Sequence, residues 1–155
     1  MDFSRTVTDF AAGDTPAAAV FDGLSEGGYG AKTETSSVGS ITAAESTIIS
    51  RDFTAIASRL VVIFAECNIE STVADDRFRM RVKEGATTLG FRDIVLGVAN
   101  IHQGITCIVP VTSFSAGSHT ITVTLERVSW TGTGQATLAS TSPAVLVILG
   151  AGPNS

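Results

Sequence analysis

The sequence predicts an all-β protein: an antiparallel β-sandwich or jelly roll of about eight strands, with an extended N-terminal arm. Three observations predict it. From residue 36 onward apolar residues recur with a period of two, Gly-, Ser- and Thr-rich turns separate short runs, and no stretch carries a convincing amphipathic helical stripe. At 155 residues the chain is the length of one domain and can bury a core of its own.

Residues 1–35 are rich in Ala, Gly, Asp and Thr, with Phe3, Phe10, Phe21 and Tyr29 widely spaced and no sustained period. Such a stretch buries little surface by itself and reads as an arm that orders by docking on something else, with the isolated aromatic residues as anchors. Thr15 to Phe21, with Pro16 suited to a first helical turn, has room for one turn of helix between Gly13 and Gly23. Residues 36–155 form the sandwich domain. Its first strand is read in SITAAESTIIS and its second in SRLVVIFAECNIE, where Val61, Ile63, Ala65, Cys67 and Ile69 share one face. On the other face Leu60, Val62 and Phe64 are apolar, and Glu66, Asn68 and Glu70 are polar. DRFRMRVKEGATTLGF alternates cleanly, with Phe78, Met80 and Val82 inward and Arg77, Arg79, Arg81 and Lys83 outward before a tight turn at residues 83–86. FRDIVLGVANI and GITCIVPVTSF follow, and Pro110, which lacks a ladder donor, places the latter near an edge or bulge. SAGSHT is a turn opening a strand with Ile121, Val123 and Leu125 inward, TGTG turns the chain into QATLAS, and SPAVLVILGAG closes the domain.

Composition narrows the function classes. Hydrophobic residues make up 44% and charged residues 16%, against roughly 25% charged in an average soluble domain, so much of the surface is expected to be covered. A net charge of −5 is the wrong sign for a general nucleic-acid binder. The start lacks the basic and apolar regions of a secretory signal, no apolar run approaches the roughly 20 residues of a membrane helix, and no Asn-x-Ser/Thr sequon occurs. Cys67 and Cys107 are too few for a disulfide scaffold or zinc cluster and read as buried thiols.

The closing strand poses the main question. Ala144, Leu146 and Ile148 can line the core, which leaves Val145, Val147 and Leu149 on the opposite face. Fully burying each is worth about 1.5–3 kcal/mol, so the three together rival the roughly 5–15 kcal/mol stability of a typical domain. A helix, the arm, another subunit, or burial of a central strand on both sides within one chain can each cover them. The sequence offers no strong helix and the arm few bulky residues, which favours sister copies. Leu60, Val62 and Phe64 join the same expected interface.

Residues 114–152, FSAGSHTITVTLERVSWTGTGQATLASTSPAVLVILGAG, resemble the closing hairpin and last strand of trimeric jelly-roll domains of bacteriophage structural proteins. These include capsid decoration proteins and tail-fibre tips, and they share the build of tumour-necrosis-factor-like trimers. The features that carry the likeness are Ser118-His119-Thr120, the Thr-lined strand to Leu125 and the apolar strand 144–149. The resemblance implies a homotrimer with the last strand near the threefold axis, and an arm that reaches neighbours such as the major capsid protein. It also implies a place in the virion, with assembly in the host cytoplasm.

Other chemistry is sparse. His102 and His119, the only histidines, have no partners at metal-ligand or triad spacing and read as a loop and a turn residue. Asp75-Asp76 reads as a solvated turn, since STVADDRF offers too few oxygen ligands for calcium. TGTGQAT lacks the third glycine and the strand and helix of a dinucleotide site. The row Arg77, Arg79, Arg81 and Lys83 lies on one face at roughly 6.6–7 Å intervals. It reads either as a strand face paired with acids such as Glu66 or Glu70, or as a dock for an acidic partner. No nucleophile, base and orienter can be assembled, and no cofactor or metal is expected. The leading expectation is a capsid decoration protein that trimerises and docks on the lattice through its arm. The alternative is a receptor- or carbohydrate-binding module of a tail fibre, for which Trp130 and Tyr29 supply the only tryptophan and tyrosine.

Overall fold

The computed structural model describes residues 29–112, 114–129, 132–137 and 139–153, with the side chains of 151–153 left aside. Phe3, Phe10, Phe21 and Trp130 lie outside these residues. The described residues form ten strands and no helix: β1 (Gly30–Glu34), β2 (Val38–Ile41), β3 (Ser46–Ala55), β4 (Arg59–Ser71), β5 (Asp76–Glu84), β6 (Thr87–Leu96), β7 (Gln103–Val111), β8 (Gly117–Ser129), β9 (Gly134–Thr137) and β10 (Ala144–Pro153).

They fill eight strand positions in two antiparallel sheets. In the first sheet β4 pairs with β7 along one side, and on the other side with β10 in its first half and β9 in its second. β1 then pairs with β10 and β2 with β9, so two positions of the sheet are each shared by two short strands. The second sheet runs β3-β8-β5-β6. Counting β1 with β2 and β9 with β10, successive positions fall in facing sheets except at the β5-β6 hairpin, which is the jelly-roll arrangement, a two-layer solution to burying one face of each sheet.

Alternation fixes the register. Val61, Ile63, Ala65, Cys67 and Ile69 of β4, Phe78, Met80 and Val82 of β5, Ile121, Val123 and Leu125 of β8, and Ala144, Leu146 and Ile148 of β10 are all buried between the sheets. A one-residue slip of any of these strands would turn its core set to the outside. Two glycines allow close approach across the interior. A Cβ on Gly134 would lie 2.2 Å from the Phe78 ring, and one on Gly90 would lie 2.6 Å from Val109, where edge strands β6 and β7 close the sandwich.

Four details differ from the sequence reading. Gly30–Glu34, which composition groups with the arm, is a sandwich strand registered against residues 144–148. SITAAESTIIS is broken: Val38–Ile41 belongs to the first sheet, and the chain crosses at residues 42–45 to begin β3 in the second. The turn at residues 83–86 is followed by one continuous strand, Thr87–Leu96, rather than by two pieces that meet at Phe91. Asp76 is not solvated but fully buried, accepting a hydrogen bond from Ser71 Oγ, while Asp75 sits outside on a left-handed turn with φ of 63°.

Candidate assembly interface

The six side chains expected at an interface converge on one surface, the outer face of the first sheet. Register sets them in rows across the strands. Ala31 of β1 opposes Val147 of β10, Val147 opposes Phe64 of β4, and Phe64 opposes Ile108 of β7. In the next row Leu149 opposes Val62, and Val62 opposes Pro110. Leu60 extends the β4 column, and Val145 lies where the field meets Glu66 and Thr106. Four adjacent strands at about 4.8 Å spacing make the field roughly 14 Å wide.

The side chains shelter one another only in part. Leu60, Val62, Phe64, Val145 and Val147 are half-buried, whereas Leu149 is 46% exposed and Ile108 62% exposed. The described residues therefore leave this face open. Sequence reasoning missed Ile108 and Pro110. The signal was present in ITCIVPV, where Ile105, Cys107, Val109 and Val111 point inward and an apolar pair remains between them.

The basic row lies on the outer face of the other sheet, and it finds its counter-charges there. Asp93 of β6 accepts from both Arg77 and Arg79, the nearest Arg79 contact being 2.7 Å. Arg81 pairs with Glu126 at 2.6 Å and with Glu45 at 3.0 Å, and Lys83 pairs with Glu45 at 2.6 Å. The Arg79 guanidinium also lies 4.5 Å from the centre of the Phe91 ring. Glu66 and Glu70, proposed from sequence as the partners, belong to β4 in the opposite sheet and cannot serve. Hydrogen bonds from Arg79, joined by Arg77, hold the Asp93 carboxyl at about 2, and the Lys83 ammonium lowers that of Glu45. With these cations engaged by Asp93, Glu126 and Glu45, the face is laced by ion pairs.

Tyr29 is also committed internally. Its ring packs 4.9 Å from Phe53, which in turn meets Phe114 at 5.3 Å and His119 at 5.6 Å. Arg51 Nη2 donates to the Tyr29 carbonyl at 2.8 Å, and the Ile56 amide donates to the Tyr29 hydroxyl at 3.2 Å. The arm's last aromatic residue thus fastens its root to its own sandwich instead of reaching a neighbour. His119 lies in β8 rather than in a turn, its Nδ1 paired with Glu84 and its Nε2 3.0 Å from the Ser115 carbonyl. The Glu84 hydrogen bond raises the His119 pKa. His102 is a loop residue as expected.

Both cysteines are buried and free, and burial pushes the Cys67 thiol up to about 12, far from a reactive thiolate. Among the described residues no three His, Cys, Asp or Glu side chains converge to hold a metal ion, and no helix is long and apolar enough to cross a membrane.

Comparison with solved structures places this architecture. The chain superposes on the VP2 protein of infectious bursal disease virus, as a subviral particle and as the Gx strain, with a TM-score of 0.50 and 12% identity in each case. The likeness is one of fold. It covers 77% and 80% of this chain but 32% of either VP2 chain, so the present chain spans about a third of those proteins' length. No protein-family model and no curated protein sequence matches it.

Proposed function

We propose that the protein is a structural subunit of a virion, a capsid decoration protein that forms a homotrimer through the outer face of the β1-β10-β4-β7 sheet. Residues preceding the sandwich then fasten the trimer to the capsid lattice, with the major capsid protein as partner. One observation carries the reading: a contiguous apolar field made by Val62, Phe64, Ile108, Val147, Leu149 and Pro110, on a sandwich whose opposite face carries a row of ion pairs. Burial of such a field between copies is the largest favourable term available to a surface of this kind. The jelly-roll fold shared with a viral VP2 supports a shell or shell-bound role, as fold-level analogy.

The mechanism is area and multivalency. Three copies present three arms, each carrying Phe3, Phe10 and Phe21. Weak contacts made by each arm combine into a durable attachment once the first has bound. Residues 1–28 are the segment to delete in a test, because deletion to residue 35 would remove β1 and its pairing with β10. The truncated chain is expected to retain a three-chain mass and to lose binding to arm-free capsid shells. A truncated chain that still coats shells as the full chain does would refute the arm's role, and a full chain that sediments as a monomer would refute the trimer.

A further inference from the structure

The same sheet face changes chemistry halfway along β4. Past Glu66 its outward side chains are Asn68 and Glu70, and beside them β9 presents Thr137 and Gln135 in register. On the other flank β7 sets Gly104 against Asn68, so no side chain fills the floor there. The loop after β6 and the turn before β10 rise around this floor and leave two clefts of about 290 and 240 Å³. Asn68, His102, Thr137 and Ser142 line the first, and Glu70 and Gln135 help line the second.

Hydrogen bonds orient the lining side chains. His102 Nε2 lies 2.9 Å from Thr137 Oγ1 and 3.2 Å from Glu70 Oε2, which fixes the imidazole between the two clefts. Asn68 Nδ2 donates to Ser142 Oγ and ties the turn before β10 to the sheet. Oriented polar groups of this sort lose little freedom when a ligand arrives.

The lining selects the ligand. Among the described residues no Lys, Arg, Phe, Tyr or Trp lines either cleft. An anion therefore meets no Lys or Arg there, and the apolar part of the lining comes from small groups such as Ala139 and threonine methyls rather than from large side chains. What the site offers is donors and acceptors close together: amides that do both, hydroxyls that do both, and a carboxylate that accepts. That set matches adjacent hydroxyl groups on a sugar ring. We propose that these two adjoining clefts together bind a neutral glycan, with Asn68 and His102 in the first and Glu70 and Gln135 in the second as the principal contacts. The site adjoins the apolar field on the same sheet face but is built from the residues of one chain, so it does not depend on assembly.

The test uses the full chain and a panel of galactose-, mannose- and fucose-terminated oligosaccharides beside sialylated and sulfated ones, read by saturation-transfer NMR and then by titration. The expected result is transfer to one or more neutral oligosaccharides. Glu70→Gln and Gln135→Ala should each weaken the affinity by about tenfold or more, as expected when a buried ligand hydroxyl loses its partner. Asp93→Asn, on the opposite face, should leave it unchanged, and circular dichroism of each variant confirms that the sandwich is intact. Absence of transfer from every neutral oligosaccharide, preference for the acidic ones, or affinity indifferent to both cleft substitutions would each overturn the proposal. The chain's mass measured in the same samples separates the two ideas: sugar binding by a monomer removes the trimer and keeps the glycan site.

Discussion

The two outer faces of this sandwich are made from strands of similar length and the same alternation, yet they solve opposite problems. On the β3-β8-β5-β6 face, Arg77, Arg79, Arg81 and Lys83 meet Asp93, Glu126 and Glu45 within hydrogen-bonding distance, so each cation has its partner in the sheet or in the crossing that leads into β3. On the β1-β10-β4-β7 face, Val147, Phe64 and Ile108 stand in one row and Leu149, Val62 and Pro110 in the next, with nothing described on top. The first face is finished by water. The second needs a cover, because apolar side chains find no partner in solvent. Exposure of single large apolar residues is ordinary, as at Phe91 and Val95 on either side of Asp93, but on the β1-β10-β4-β7 face they are contiguous across neighbouring strands.

This difference can be broken or sharpened by substitution. The largest effect is expected from a pair of phenylalanines. Phe78 is fully buried between the sheets, so Phe78→Ala should cost about 3–5 kcal/mol of folding stability in a denaturant titration. Phe64 points out of the first sheet, and Phe64→Ala should cost the isolated fold about 1 kcal/mol or less while weakening association by about tenfold or more, the equivalent of roughly 1.5–3 kcal/mol of lost burial. Equal losses of folding stability from the two would mean that Phe64 is already covered within one chain.

A smaller effect distinguishes the charged face. The Asp93 carboxyl lies at about 2 in the fold against an ordinary 3.8, so its ion pairs contribute stability that is complete above about pH 4 and is lost as pH falls through about 2. Allowing for partial solvent screening, wild type should exceed Asp93→Asn by about 1–2 kcal/mol at pH 6, and the gap should close near pH 2. A gap that persists at pH 2 would mean that packing, not charge, is responsible.

The smallest effect is at His119, whose pKa is raised by Glu84. Its contribution is present below the ordinary histidine value of 6.5 and is lost as pH rises through the raised value. The stability difference between wild type and His119→Gln should therefore be larger at pH 5.5 than at pH 9. Neither titration should change the assembly state, because both groups lie away from the apolar field.

Much of this was legible in the sequence, and the failures have a common cause. Period-two alternation assigns the inward and outward faces of β4, β5, β8 and β10 residue by residue, and Pro110 marks β7 as an edge strand. Alternation is local, however, and says nothing about which sheet a strand joins. That is why Glu66 and Glu70 were paired with the arginines from sequence, while Asp93, Glu45 and Glu126 do the pairing in the fold. It is also why the sequence does not set Ile108 and Pro110 beside Phe64 and Val62, from which they are more than 40 residues distant along the chain. β1 was hidden for a different reason. GAKTE has no apolar alternation of its own, because an edge strand beside Val147 and Val145 is held by backbone pairing more than by side-chain burial.

The central claim is that the apolar face is shared between sister copies, and sedimentation equilibrium of the chain beside Val147→Glu tests it most directly. The account predicts a three-chain mass for the native sequence that persists on dilution to micromolar concentration, and a folded single-chain mass for the variant. A native chain that is monomeric and fully folded at that concentration, indistinguishable in mass from the variant, would contradict it.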